Sequence, residues 1–265
     1  MSLWTTFLYQ PLINLLMFVY QSVGGGLGVA IITMTVLIRA ALLPLTMPSL
    51  KSTQKMQELK PELDKLKEKH GKDKQALAQA QMDLYKQHGV NPLGGFLPMI
   101  VQLVVLIALF QAFNNVLRAN GNTIAQLNQI LYPFNQLAKN TVLQTKFFYL
   151  DVTKPDVISL GNALKLGFIT IGKLPGPLLL LAAISQYFSS KITMPKAAKQ
   201  QTNTKSDSPE DMAMSMQKQM LLFMPVMTIL IGLNFPSGLV LYWLTFSVMM
   251  VAQQTLLKKT KKTKE

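Results

Sequence analysis

A single arginine, Arg39, lies near the middle of the apolar stretch TMTVLIRAALLPL, which covers residues 33 to 45. No other charged side chain occurs from Met1 to Ile38. An arginine at the centre of a membrane helix costs about 2.5 to 3.5 kcal/mol on insertion scales, so it needs a partner or water. The chemistry that this residue offers in an apolar setting is attraction of an anionic group.

Snorkelling to the membrane surface and pairing with an acid of the same chain are the simplest explanations for Arg39. Twelve helical steps separate it from Lys51, about 18 Å at 1.5 Å each, and a long side chain reaches about a third of that distance. Pro44 and Pro48 could bring the surface closer, so snorkelling or a purely structural role stays open. Every Asp and Glu lies outside the predicted spans or at their polar edges, so no internal partner is expected.

Uncharged polar side chains also recur inside the predicted spans. Each one serves as an interhelical hydrogen bond more often than as a binding site. Two of the spans are short, with about 17 and about 15 uncharged residues, near the lower limit for crossing a bilayer. Together with Arg39, these features indicate a hydrated groove that receives an anionic group of another molecule. The polar residues are Thr33, Thr35, Gln102, Gln111, Ser185, Gln186, Ser189, Thr245, Ser247 and Gln253.

The composition is that of a membrane protein. Of 265 residues, 49% are hydrophobic and only 14% are charged, and residues 87–117, 174–190 and 219–257 contain no charged side chain. The net charge is +14, but the lysines flank apolar runs, which indicates anionic lipid as the partner and not nucleic acid bound through a folded domain. Without cysteine there is no disulfide or thiolate site, and we expect neither a metal nor a cofactor.

These patterns predict an all-α polytopic membrane protein with five transmembrane helices around a groove that is open to the cytoplasm. Leucines at helical spacing and a turn near residue 71 predict a helical hairpin after the first span. The predicted order is an N-terminal interfacial helix (1–23), span 1 (24–50), the hairpin (51–90), span 2 (91–117), a surface loop with partial helix (118–173), span 3 (174–192), a polar linker (193–210), span 4 (211–234), span 5 (238–257) and a basic tail (258–265).

Lysine distribution predicts the orientation of these segments. The hairpin, the linker and the tail carry most of the lysines and fall on the same side of a five-span chain. By the positive-inside rule, that side is the cytoplasm and the N-terminus lies outside. We therefore expect a multi-pass protein of the inner (plasma) membrane, and the N-terminal segment lacks the features of a cleaved signal peptide.

Four motifs in this order resemble the YidC family of membrane protein insertases, in its single-core type without a large outer domain. They are the stretch from Thr35 to Pro44 with its arginine, LYKQHGVNPLGGFLPMIVQ at 84–102, FFYLDVTKPD at 147–156 and FMPVMTILIGLNFPSGLVLYW at 223–243. The resemblance implies a hydrophilic groove in which Arg39 matches the family's arginine and Thr35 a groove threonine. The other residues implied to line the groove or contact substrate are Gln102, Gln186, Trp243 and, sharing or replacing the contact of Trp243, Tyr242.

The function implied by the resemblance is insertion and folding of integral membrane proteins, without covalent chemistry. The hairpin would recruit substrates or partners through Lys51, Lys55, Lys60, Lys65 and Lys67. Implied partners are nascent membrane proteins, anionic lipids, the Sec translocon and the ribosome or signal recognition machinery. The chain has no nucleotide-binding loop or catalytic triad, so an enzyme is not expected. A membrane assembly scaffold without insertion activity and a small-solute transporter remain alternatives.

Overall fold

The computed structural model describes residues 3–70, 73–90, 97–117, 123–166, 169–193, 221 and 223–262. Several predicted segments fall partly outside these ranges. They are the entry to span 2 at 91–96, the linker beyond Thr193, the start of span 4 at 211–220 and the tail at 263–265.

The chain begins with two helices that a glycine turn separates. A π-helical turn, Thr5–Tyr9, continues into α1, Gln10–Val23. Gly24 ends α1 with φ of 68°, a left-handed conformation that only glycine adopts without strain. Helix α2, Gly26–Glu58, follows after a single bend and packs against α1.

Helix α2 runs past the predicted boundary between span 1 and the hairpin. It is continuous over 33 residues and contains both Pro44 and Pro48, so the chain does not break between residues 50 and 51. No glycine lies between residues 29 and 58 to end the helix, and its interior prolines leave it helical. At 1.5 Å per residue the helix is about 50 Å long, well beyond the roughly 30 Å of a bilayer's hydrocarbon.

Two shorter helices, α3 (Lys60–His70) and α4 (Lys74–Gln87), form the hairpin beyond α2. Asp73 caps the start of α4, because its Oδ1 accepts hydrogen bonds from the N–H groups of Gln75 and Ala76, both at 3.0 Å. A contact of 3.6 Å between His88 Nε2 and Glu62 Oε2 joins the two arms. The hairpin interior is apolar and consists of Leu59, Leu77, Leu84 and Val90.

The remaining helices are α5 (Leu97–Leu117), α6 (Thr123–Asn128), α7 (Pro177–Thr193), α8 (Phe223–Gly232) and α9 (Ser237–Lys262). Among the described helices, two are long and apolar enough to cross a membrane, over Gly26–Ser52 and Ser237–Leu256. Leu103–Ala112 and Phe223–Gly232 are shorter apolar segments. The structure is thus mostly helical, as expected of a helical membrane protein, and the count of five spans stays a prediction.

Two β-hairpins correct the prediction of an all-α chain, and they lie in or next to the region 118–173, where a surface loop with partial helix was expected and where α6 is a helical part. Strands β1 (Lys146–Phe147) and β2 (Leu150–Asp151) pair antiparallel, as do β3 (Val157–Leu166) and β4 (Ile169–Pro175). The second hairpin is rich in β-branched residues, which favour strands, and an irregularity lies between Ser159 and Leu164. Helix α7 therefore begins at Pro177 and not at the predicted residue 174.

One apolar core joins the long helices. Helix α7 packs along α9, and α2 packs against α9 and α5. Large exposed apolar side chains lie on the outward faces of the same helices, an arrangement that suits contact with lipid. The residues buried most completely in this core include Ile13, Leu16, Leu27, Ile31, Leu109, Leu179 and Tyr242.

Candidate functional site

Arg39 lies at the centre of a candidate membrane span and is only 5% exposed. It is 13 residues from each end of the apolar segment Gly26–Ser52, since 39 − 26 and 52 − 39 are both 13. Each end of that segment is therefore about 20 Å away along the helix. An arginine side chain covers about a third of that distance, so along an unbroken α2 it does not reach either end.

A pocket of about 330 Å³, including the space at its mouth, surrounds Arg39. It is formed by three helices, because its lining side chains come from α2, α5 and α9. Most of this volume is open space at the mouth, and the enclosed part beside Arg39 has room for about one water molecule. Its lining residues are Thr35, Ile38, Arg39, Leu42, Thr46, Val101, Val105, Tyr242 and Phe246.

The guanidinium of Arg39 contacts two residues of α9. Its Nη2 donates to Met250 Sδ at 3.1 Å, and its Cζ lies 4.4 Å from the centroid of the Phe246 ring. Its Nε is buried without a hydrogen-bond partner. No carboxylate pairs with Arg39 within the described ranges. The positive charge is thus held by a thioether and an aromatic face, both of which are weak partners for a cation.

Hydroxyl groups above and below Arg39 bond to their own helix. Thr35 Oγ1 donates to the carbonyl of Ile31 at 2.6 Å, and Thr46 Oγ1 donates to the carbonyl of Leu42 at 3.0 Å. A hydroxyl that donates in this way still has lone pairs that accept hydrogen bonds. These threonines therefore add acceptors to the pocket and leave the charge of Arg39 uncompensated.

The structure brings three of the six predicted groove residues together, because Thr35, Arg39 and Tyr242 all line the pocket. Gln186 does not line it, but its Oε1 accepts a hydrogen bond of 2.9 Å from Ser247 Oγ, which links α7 to α9.

Trp243 is half-buried against the apolar core and also lies outside the pocket lining. Gln102 follows the pocket residue Val101 on α5, and its side chain is outside the described part of the structure.

Phe246, which lines the pocket, and Met250, which contacts Arg39, are residues that the sequence patterns did not identify. With Tyr242 they are spaced four residues apart on α9, so they share one face of that helix. Thr35, Arg39, Leu42 and Thr46 have the corresponding spacing on α2. This periodicity is visible in the sequence, but nothing in it says which two helix faces meet.

The predicted recruitment lysines lie along α2 and α3, away from the pocket lining. Lys51, Lys55 and Lys65 are exposed and Lys67 is half-buried, whereas the side chain of Lys60 is outside the described part. Within the described ranges, no three His, Asp or Glu side chains lie close enough to hold a metal ion.

A second polar cluster is formed by residues 144–156, which we name the capping segment. It bonds to the N-terminus of α2 through Leu27 N–H and the Gln144 carbonyl at 2.8 Å. It bonds to the N-terminus of α9 through the N–H groups of Ser237 and Gly238, which donate to the carbonyls of residues 154 and 152 at 2.8 and 2.9 Å. The capping segment therefore holds the first turns of two helices.

Asp156 extends this arrangement to a third helix, α7. Its carboxylate is buried, and its Oδ2 accepts from Leu179 N–H at 3.0 Å. Tyr149 supports it, since its hydroxyl accepts from Leu178 N–H at 2.9 Å and donates to Asp156 Oδ2 at 3.4 Å. A side chain in place of Gly176 would overlap the Asp156 carboxylate, so this close approach requires glycine.

Two titratable groups of the capping segment have shifted pKa values. The pKa of Tyr149 is raised, first because burial disfavours the phenolate and also because the charge of Asp156 is nearby. Burial raises the pKa of Asp151, but hydrogen bonds from Thr153 and Thr145 and the charge of Lys154 outweigh it, so this pKa is lowered. The Thr153 hydroxyl donates to Asp151 Oδ1 at 2.7 Å.

Comparison with known proteins places this chain in a family. A family model described as 60Kd inner membrane protein matches residues 18–265. A membrane protein insertase YidC of Pelobacter propionicus is 36% identical over 97% of this chain and 39% of the relative. Proteins with the same name from Syntrophobacter fumaroxidans and Oleidesulfovibrio alaskensis are 33% and 32% identical, each over 95% of this chain and 38% of the relative. The chain spans about two fifths of the length of the curated relatives it matches.

Proposed function

The chain belongs to the 60Kd inner membrane protein family, and we propose that it inserts integral membrane proteins and helps them to fold. The relatives carry the name membrane protein insertase YidC. The chain covers about two fifths of those relatives, so the proposed activity rests on the geometry of the chain's own pocket.

The uncompensated charge of Arg39 is the observation that carries this proposal. A buried cation without a carboxylate partner attracts an anionic group strongly, because the surroundings screen the charge far less than water does. The pocket is open at its mouth and its enclosed part is about the size of one water molecule, so the charged end of a side chain can reach Arg39 and a helix cannot. A polar or acidic side chain of the substrate would therefore enter the pocket while the apolar segment beside it stays outside.

The apolar part of the substrate would leave sideways into lipid, past α7 and α9. Exposed apolar side chains such as Leu181 and Ile184 on α7 and Val248 on α9 offer a surface for that transfer. Gln186 and Trp243 lie on the same two helices, and we assign them to contacts with the substrate beyond the Arg39 pocket. Gln102 is assigned the same role on α5.

The capping segment supports closure of the groove at the end opposite the hairpin. It binds the N-termini of α2, α7 and α9, which are the ends of these helices away from α3 and α4. In the proposed topology this end faces outward, and the groove opens to the cytoplasm and to lipid. The protein lies in the inner membrane with the N-terminus outside and the hairpin, linker and tail in the cytoplasm.

Nascent membrane proteins are the proposed partners at the hairpin. Exposed lysines such as Lys51, Lys55 and Lys65 place positive charge just beyond the apolar part of α2, where anionic lipid or an acidic partner surface would meet it. The Sec translocon, the ribosome and the signal recognition machinery are proposed partners at the same side.

Reconstitution of the purified chain in liposomes tests the insertase proposal. The substrate is a short single-span protein with an aspartate in its translocated tail, and insertion is measured as protease protection of that tail. We expect Arg39→Ala to lower insertion about tenfold or more, the scale of one hydrogen bond to a charged group. Leu37→Ala on the exposed face of the same helix is the matched control.

Three outcomes of this experiment, combined with crosslinking to the same substrate, are informative. Insertion by Arg39→Ala at the wild-type level would contradict the role of the charge. A wild-type chain that binds the substrate without protecting its tail would identify a scaffold and not an insertase. Site-specific crosslinkers at Gln186 and Trp243 that never capture the substrate would remove these residues from its path.

A further inference from the structure

One edge of the Arg39 guanidinium is only half occupied. Nε and the neighbouring Nη2 together form the side-on edge of an arginine, to which a carboxylate binds with two parallel hydrogen bonds. In this structure Nη2 donates to Met250 Sδ at 3.1 Å, whereas Nε is buried without a partner. A single sulfur atom therefore stands where a carboxylate would place two oxygens.

A second contact of the same guanidinium is with the Phe246 ring. Cζ of Arg39 lies over that ring, 4.4 Å from its centroid. A cation–π contact of this kind uses the charge of the guanidinium and does not occupy an acceptor site. Phe246 and Met250 are four residues apart on α9, so one helix supplies both the ring and the sulfur.

We propose that Met250 is a placeholder at the carboxylate site of Arg39 and that Phe246 is a positioning residue that holds the guanidinium against α9. This inference rests on the proposed function, because the carboxylate belongs to the inserted substrate. The substrate displaces the Met250 sulfur, pairs with Nε and Nη2 together, and leaves the contact with Phe246 in place.

The chemistry of methionine suits a placeholder. A thioether is a weak acceptor, so its loss costs little, and three rotatable bonds let the side chain swing aside. Until the substrate arrives, the sulfur keeps one N–H of Arg39 from being left without any acceptor. An internal carboxylate in its place would bind too strongly to be displaced.

Substitutions at Met250 test this assignment without any substrate. The full chain is placed in nanodiscs and treated with phenylglyoxal, which modifies arginine side chains. Peptide mass spectrometry then gives the labelling rate of Arg39 relative to Arg118, the chain's other arginine. The variants are Met250→Glu, Met250→Gln of equal length, and Met250→Leu of similar volume, with Val248→Leu on the exposed face of α9 as control.

Met250→Glu is expected to lower Arg39 labelling about tenfold or more relative to Met250→Gln, because a carboxylate at the edge protects both N–H groups. Met250→Leu is expected to raise labelling about two- to threefold, the scale of a weak hydrogen bond. Equal labelling of the Glu and Gln variants would overturn the placeholder. If Met250→Glu fails to fold, an unchanged rate in Met250→Leu would overturn it.

Insertion of two substrates that differ by one residue, Asp or Asn in the translocated tail, tests the substrate step. Met250→Glu should lose insertion of the Asp substrate and Met250→Gln should keep it. Phe246→Leu should reduce the preference for Asp over Asn by about two- to thirtyfold, the scale of a cation–π contact. If the role of Phe246 were purely structural, insertion of both substrates would fall equally, and that result would overturn its positioning role.

The two assays separate failure of this inference from failure of the proposed function. A wild-type chain that inserts neither substrate would contradict the insertase proposal, and labelling would still decide whether Met250 stands at the carboxylate edge. A wild-type chain that inserts the Asp substrate, with Met250→Glu inserting it equally well, would overturn the placeholder and leave the insertase standing.

Discussion

The Arg39 pocket and the capping segment treat buried polar groups in opposite ways. In the capping segment, Asp156 accepts a backbone hydrogen bond from α7, and backbone carbonyls accept from the first turns of α2 and α9. In the pocket, a full positive charge rests on a sulfur atom and a ring, and its Nε has no partner. One cluster is satisfied within the chain, and the other is not.

The capping segment is suited to hold helices in place, whereas the pocket is suited to bind an incoming group. Hydrogen bonds made within the chain stabilise a fixed arrangement, because breaking any of them leaves a buried group unsatisfied. An unsatisfied charge lowers stability but leaves a strong interaction for an incoming molecule. Both clusters are attached to α2 and α9, so the same helices carry the fixed end and the receptive pocket. Substitutions in the two clusters should therefore change stability with opposite signs.

Asp156→Ala is expected to have the largest effect. It removes the acceptor for Leu179 N–H at the start of α7 and leaves Tyr149 without the carboxylate, at a cost of about 2 to 3 kcal/mol in free energy of unfolding. Unfolding by SDS in mixed micelles measures it. Asp156→Asn keeps an acceptor oxygen and should lose less, and equal losses would show that the charge, not the hydrogen bond, matters.

Arg39→Met should change stability in the opposite direction. Removal of a buried charge with an unsatisfied Nε is expected to raise the free energy of unfolding by about 1 to 2 kcal/mol while insertion is lost. The same unfolding assay, run beside the liposome assay, checks both. If Arg39→Met were less stable than wild type, the Met250 sulfur and the Phe246 ring would stabilise the buried guanidinium, and the pocket would not differ from the capping segment in this respect.

Phe148→Gly, in the capping segment, should give a smaller gain in stability. Phe148 occupies the turn between β1 and β2 with φ of 51°, a left-handed conformation that favours glycine, and its side chain is 90% exposed. Glycine should raise the free energy of unfolding by about 1 kcal/mol, less the contact of Phe148 with the Phe147 ring. Phe148→Ala separates these terms, because it removes the ring and keeps the strained conformation.

The pH dependence from Asp151 is the smallest expected effect. Its pKa is lower in the folded protein than the ordinary value of 3.8, so the folded form holds the proton less tightly than the unfolded chain. The resulting stabilisation is complete above 3.8 and declines as the pH falls through the lowered pKa of the folded form. Unfolding midpoints measured from pH 6 to pH 2 should show a steeper loss for wild type than for Asp151→Asn.

Sequence patterns say more about the position of Arg39 than about the capping segment. Arg39 is conspicuous because a charge in an apolar run has few explanations, and helical spacing placed Thr35 on the same face. Phe246 and Met250 were missed because an aromatic ring and a thioether in an apolar helix are ordinary core or lipid-facing residues. Their contact with Arg39 joins positions up to 211 residues apart, and local patterns carry no such information.

The capping segment could not be read from local patterns for a related reason. Its strands β1 and β2 have two residues each, too few for a period-two signal. Its order comes from bonds to the N-termini of three helices, which depend on tertiary packing. The hairpin of α3 and α4 is a local structure, of the kind that leucine spacing along the chain can predict.

Because α2 is unbroken, a tilt about one of its ends would move the other end furthest. The helix is fixed at Leu27 by the capping segment, Arg39 lies about 18 Å along it, and the connection to α3 lies about 48 Å along it. A tilt of about 10° about the fixed end would move Arg39 by about 3 Å and the far end by about 8 Å. A load on the hairpin would thus reach the pocket as a displacement comparable to one hydrogen-bond length.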